Sequence, residues 1–142
     1  MTTIDFYTHV DDRLAVAARI VAKAYAAHRN VRVLTPDAAA TDALDRLLWI
    51  QPALAFLPHC RMDSAVAPET PIWIDERLAH DGPATVLVNL QRDPPPFFSR
   101  FERLAEIVGV DEDDAAAARE RWRFYKARGY ELRSHNVSTL RE

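Results

Sequence analysis

The sequence predicts an α/β fold, a three-layer Rossmann-like domain with a mostly parallel central sheet. Three observations carry this. Apolar runs of period two alternate along the chain with segments of helical period, the order expected of βαβ units. Val86, Leu87, Val88 and Leu90 form a near-continuous apolar run, as in a strand covered on both faces. The composition is globular: 142 residues, 49% apolar and 27% charged, suit one domain over 1–142 with a sizeable core.

The elements follow in order. Ile4, Phe6, Thr8 and Val10 alternate as in a strand. Asp11 and Asp12 can cap the helix after it, whose stripe of Leu14, Ala17, Ala18, Val21, Ala24 and Tyr25 closes near Asn30. Val31 to Leu34 is a short buried strand and completes a βαβ unit, for which a right-handed crossover is expected. A second helix follows Pro36, with Asp37 or Thr41 as cap, Leu44, Leu47 and Leu48 inward, and Pro52 forcing its end. Trp49, Ile50, Leu54, Phe56 and Leu57 crowd that end without a regular period. Two readings fit: the side chains fold back into the core, or they form an exposed apolar patch of the kind that marks a partner surface.

Residues 61–70 have the composition of a surface loop, and 71–75 and 85–90 are expected as two central strands. After the prolines at 94–96, Phe98, Phe101, Leu104, Ala105 and Val108 recur at threes and fours and predict a core-facing helix ended by Gly109. A further helix is predicted over 111–130. Residues 130–133 read as an edge strand, and 134–142 as a polar tail to which no structure is assigned.

The 111–130 stretch is the most informative. Asp111 to Asp114 place negative charge where a helix N-terminus favours it, and Gly129 can end the helix. Arg119, Arg121, Arg123, Lys126 and Arg128 against Glu120 then make a net of plus four, in a chain of net charge −3. Arg119, Trp122, Arg123 and Lys126 share one helical face, cationic with an aromatic centre. Guanidinium forks bind carboxylates and an indole offers an apolar wall, so an acidic peptide with a hydrophobic end fits that face. The competing reading is an ordinary amphipathic helix with Trp122 half in the core and solvated arginines.

Other chemistry is poorly supplied. The three glycines, Gly82, Gly109 and Gly129, are too scattered for either phosphate-cradling motif, so no nucleotide cofactor is expected. His9, Asp75 and Asn89 lie near predicted strand ends as a thin catalytic candidate, Ser99 suits a helix cap, and no catalysis is expected. His59 beside the single Cys60 lacks the second cluster a metal site needs, so no metal is expected either. No apolar run is long enough for a membrane span, the first residues lack the pattern of a signal peptide, and a lone cysteine suits a reducing compartment; the expected location is cytoplasmic. A pI near 5.9 argues against tight binding of a nucleic-acid backbone by the whole surface, so direct DNA contact is expected to be weak or absent.

Three runs, ARERWRFYKARGY from Ala118, LLWIQPALAFLPH from Leu47 and FFSRFERLAEIV from Phe97, together resemble the chi subunit of bacterial DNA polymerase III, in that family's order and spacing. The resemblance covers nearly the whole chain and implies the same fold. It implies a non-catalytic accessory protein of the clamp loader that bridges it, through the psi subunit, to single-stranded DNA-binding protein. By the same resemblance, Arg119 and Arg123 hold acidic groups of that protein's C-terminal tail, Trp122 and Val108 wall a slot for its terminal phenylalanine, and Lys126 shares the face. Trp49 and Phe56 anchor psi or, where psi is lacking, another clamp-loader or helicase partner. The chain departs from the pattern at Ala115, where some members carry lysine, which implies weaker tail binding. A direct single-strand binder using Arg119, Arg123 and Trp122, or a small enzyme at the strand ends, are the alternative functions.

Overall fold

The computed structural model describes residues 1–51 and 57–140. Its strands are β1 (Thr3–Val10), β2 (Val31–Leu34), β3 (His59–Cys60), β4 (Ile72–Asp75), β5 (Val86–Asn89), β6 (Arg103–Gly109) and β7 (Glu131–Asn136); its helices are α1 (Arg13–Ala26), α2 (Ala38–Ile50), α3 (Glu112–Ala127) and the short α4 (Val137–Leu140). The strands form one sheet in the order β3-β4-β2-β5-β6-β1-β7, and every pairing in it is parallel. β1 and β2 are therefore not neighbours; the first βαβ unit steps over β5 and β6.

Helices cover the sheet on both faces, and the buried apolar residues divide accordingly. One cluster joins Val16, Ala17 and Val21 of α1 and Leu44 and Leu48 of α2 to Val33, Ile74, Val88 and Ile107. The other joins Ala118 and Tyr125 of α3 to Ile4, Phe6, Leu87, Leu104 and Val108. Neighbours in sequence, such as Ile107 and Val108, thus point to opposite layers, as the pleat requires. The helices start where short polar side chains can cap them: Asp12, Asp37 and Asp111 each accept a hydrogen bond from a backbone N–H in the first turn. Gly129, at φ 83°, takes the left-handed conformation that ends α3. Arg32 of β2 is buried yet faces carbonyls, donating to Ala79 O at 2.9 Å and Asp75 O at 3.3 Å, and its burial pulls its pKa down to about 10.

Three expectations are corrected. The helix expected from Phe98 to Val108 is instead a 3-10 turn, Phe98–Arg100, followed by strand β6. Its spacing of three and four is accidental: Leu104 to Gly109 are all buried, because β6 lies inside a parallel sheet with a helical layer on either face, and such strands lose their alternation. The tail is ordered further than expected, since β7 runs to Asn136 in parallel pairing with β1 and α4 follows. The stretch around Leu57 also contributes β3, two residues paired with Ile72 and Trp73 of β4.

Candidate functional site: a groove along helix α3

Helix α3 is held to the sheet by a buried polar network. Glu106 of β6 is fully buried and accepts from Arg121 Nε at 2.8 Å, from the Tyr125 hydroxyl at 2.5 Å and from Asn89 Nδ2 at 3.0 Å. Arg121 is 3% exposed and also donates to Arg92 O at 2.9 Å. Burial pushes the Glu106 carboxyl up while Arg121, Tyr125 and Asn89 act against it; burial first, then the charge of Glu106, raises the Tyr125 hydroxyl. Arg121, counted from sequence among the cations of this stretch, is therefore a structural residue. So is Asn89, which serves Glu106 and does not meet His9 or Asp75: the three end different strands, β5, β1 and β4, with β2 or β6 between. Asp75 accepts from the backbone N–H groups of Met62 and Arg77. The strand-end triplet is thus not assembled.

With α3 fixed in this way, its neighbouring face borders a groove of about 760 Å³ between the helix and the ends of β1 and β6. Phe6, Val108, Ala118 and Trp122 form the apolar part, with Arg119 and Arg123 on the helix side. Trp122 is half-buried and meets Phe6 edge to face at 5.1 Å between ring centres, which holds the indole upright as a wall. Val108 is nearly buried, a floor rather than a free side chain, and Val110 stands exposed at the mouth. Gly109 permits the close approach of Asp114 at this end: its N–H donates to Asp114 Oδ2 at 2.7 Å, and an added Cβ would meet that same oxygen at 2.7 Å.

The sequence-derived set is largely brought together. Arg119, Trp122, Arg123 and Val108 line this one groove, and so does Ala115, while Lys126 is exposed farther along α3 and does not. Both arginines are engaged within their own helix, Arg119 with Glu112 at 3.0 Å and Arg123 with Glu120 at 2.6 Å, so an incoming carboxylate competes with these exposed pairs. Sequence reasoning missed Phe6 and the use of His9 and Thr8 as lining residues, because they come from β1, far away in the chain. Nothing near α3 signals them.

The second candidate surface lies elsewhere. Trp49 is 60% exposed and Ile50 66%, at the end of α2, and Trp49 leans on the buried His59 ring of β3 at 5.0 Å. Of the two readings of this stretch, exposure holds for Trp49; Phe56 lies outside the described residues. β3 and β7 are opposite edges of the sheet, and α2 and α3 cover opposite faces, so the patch and the groove are well separated. Among the described residues no group of three His, Cys, Asp or Glu side chains is placed to hold a metal ion, and no helix is long and apolar enough to cross a membrane.

Comparison with known proteins shows the family. The family model described as DNA polymerase III chi subunit, HolC, matches residues 1–133. The chain is 32% identical to the DNA polymerase III subunit chi of Pseudomonas aeruginosa over 144 aligned positions, covering 99% of this chain and 100% of that protein. It is 26% identical to the Haemophilus influenzae subunit chi, covering 86% and 85%, and 24% identical to that of Escherichia coli, covering 92% and 88%. With the family model matched over residues 1–133 and relatives matched over most of their length, the chain belongs to the chi subunit family of DNA polymerase III, an accessory and not a catalytic subunit.

Proposed function

We propose that this chain is the tether between the clamp-loader assembly and single-stranded DNA-binding protein, acting in the cytoplasm with one partner at each of its two surfaces. The α3 groove receives the acidic C-terminal tail of the binding protein: the terminal phenylalanine ring enters the apolar part beside Trp122 and Val108, and Arg119 and Arg123 meet the acidic groups. The exposed Trp49 end of α2, with Phe56, docks the psi subunit or another clamp-loader or helicase partner. The single observation that carries the reading is the groove itself, whose lining sets Phe6, Val108 and Trp122 beside Arg119 and Arg123. The two surfaces lie toward opposite edges of the sheet, which supports a separate partner at each.

Two or three screened charge-assisted contacts of roughly 1.5–3 kcal/mol each, plus one buried ring, correspond to a Kd on the order of micromolar. Several tails on one coated strand would raise the effective affinity. The test is a titration of the protein with a labelled acidic peptide ending in Phe, and with the same peptide lacking that Phe, at low and moderate salt. Binding that requires the terminal Phe and weakens with salt is expected. Absence of binding to either peptide would return α3 to a purely structural role. Preference for a single-stranded oligonucleotide over both would favour direct nucleic-acid binding.

A further inference from the structure

We propose that His9 is a specificity-determining residue of the α3 groove, donating a hydrogen bond from its Nε2 to the terminal carboxylate of the peptide that fills it. The inference rests on the tail-binding reading and adds a residue from the opposite wall.

Strand β1 is irregular where it reaches the groove. Tyr7 pairs with Ile107 and Val10 with Gly109, so Thr8 and His9 together stand opposite Val108 alone, and the extra residue is a bulge. His9 carries the strain, at φ 60°, a left-handed conformation that a non-glycine residue takes only at an energetic cost. The effect on side-chain direction can be read from the packing. Before the bulge, Ile4 and Phe6 face the α3 layer while Tyr7 packs on the α1 side; after it, Val10 has moved to the α1 side. Regular alternation would have sent His9 to the α1 side with Asp5 and Tyr7. Instead both Thr8 and His9 line the α3 groove.

The ring is also oriented. Thr8 Oγ1 lies 2.9 Å from His9 Nδ1, against 3.4 Å to its other acceptor, His135 O. Nε2 is the ring nitrogen with no partner among the described residues, and it carries the ring proton in the tautomer whose Nδ1 accepts from that hydroxyl. Among the described residues His9 has no carboxylate partner, whereas Arg119 and Arg123 are each paired with a glutamate of their own helix. His9 is thus a donor that an arriving carboxylate meets without first displacing an ion pair. A backbone distorted to aim an unpaired donor into an apolar-floored groove fits an anionic chain end and offers nothing to an uncharged one.

The experiment uses the full chain and two acidic Phe-ended peptides, one with a free terminal carboxylate and one with a terminal amide, titrated by fluorescence anisotropy against wild type, His9→Gly and His9→Asn. Glycine and asparagine both tolerate the left-handed backbone, so the bulge survives in each variant, and a melt checks the fold. Wild type is expected to prefer the free acid by about tenfold, and His9→Gly to lose most of that preference through weaker binding of the acid alone. An unchanged preference in both variants, or equal binding of the two peptides by wild type, would overturn the role of His9 and leave the groove reading standing. Binding of neither peptide by wild type would overturn both.

Discussion

Arg119 and Arg121 are two residues apart on α3, carry the same charge and each meet a glutamate, yet one is 57% exposed in its side chain and the other 3%. The difference is one of dielectric. Arg119 and Glu112 attract each other through water, which screens the pair and leaves either side chain free to exchange partners. Arg121 and Glu106 have given up their water and are held by each other, by Tyr125, by Asn89 and by a carbonyl, so neither can be removed without stranding the rest. A helix can therefore be bolted down by one arginine while the next one along its surface stays available to a ligand.

The contrast can be broken most directly in the buried network. Arg121→Ala is expected to destabilise the fold by about 3–5 kcal/mol in urea unfolding, because Glu106 remains buried and uncompensated. Replacing the pair together, Glu106→Leu with Arg121→Met, is expected to recover part of that loss, since it removes the uncompensated charge but leaves the buried Tyr125 hydroxyl without its acceptor. If the double variant were as unstable as the single one, packing and not charge would explain the network.

A smaller effect is expected at the surface. Arg119→Ala should change stability by less than about 0.5 kcal/mol and weaken binding of the Phe-ended peptide by about tenfold, with a shallower salt dependence. Trp49→Ala should leave that binding unchanged while weakening the clamp-loader contact proposed for the end of α2. Unfolding by either substitution would assign the residue to the core.

The smallest expected effect concerns an ion pair of intermediate exposure. Glu76 accepts from Arg61 at 2.9 Å and from the Thr41 hydroxyl at 2.7 Å, and these bonds lower its carboxyl from 4.5 to about 2. A depressed folded-state value means that the contribution is present above pH 4.5 and is lost as pH falls toward 2. Asp5 adds in the same direction: burial raises its carboxyl, but His135, Arg133 and Arg103 outweigh burial and the net shift is downward. Thermal melts from pH 6 to 2 should show Glu76→Gln less stable than wild type at the upper end by roughly 0.5–1 kcal/mol and converging with it at the lower end. A constant difference across the range would point to lost hydrogen-bond geometry instead of charge.

Much of this molecule was legible in one dimension. The capping aspartates, the apolar stripes of α1 and α2, the buried runs of β2, β4 and β5 and the acid-to-base polarity of α3 are local patterns, and local patterns report the short-range preferences of the backbone. The shared face of Arg119, Trp122 and Arg123 followed from the same helical period. What failed depended on long-range environment. Phe98 to Val108 reads as a helix by spacing, yet Arg103–Gly109 is a strand because it lies inside the sheet with helices on both faces, and Arg121 reads as one more cation of the basic stretch and is buried because Glu106 waits beneath it. His9 reads as a residue at a strand end, and only the mismatch of β1 against β6 turns it toward α3. The sequence by itself determined which segments could be helices and where charge would gather, since both depend on neighbours along the chain. Tertiary structure alone decided which charges lost their water and which residues of β1 face α3, because burial and register are properties of contacts between different segments and not of neighbours along the chain.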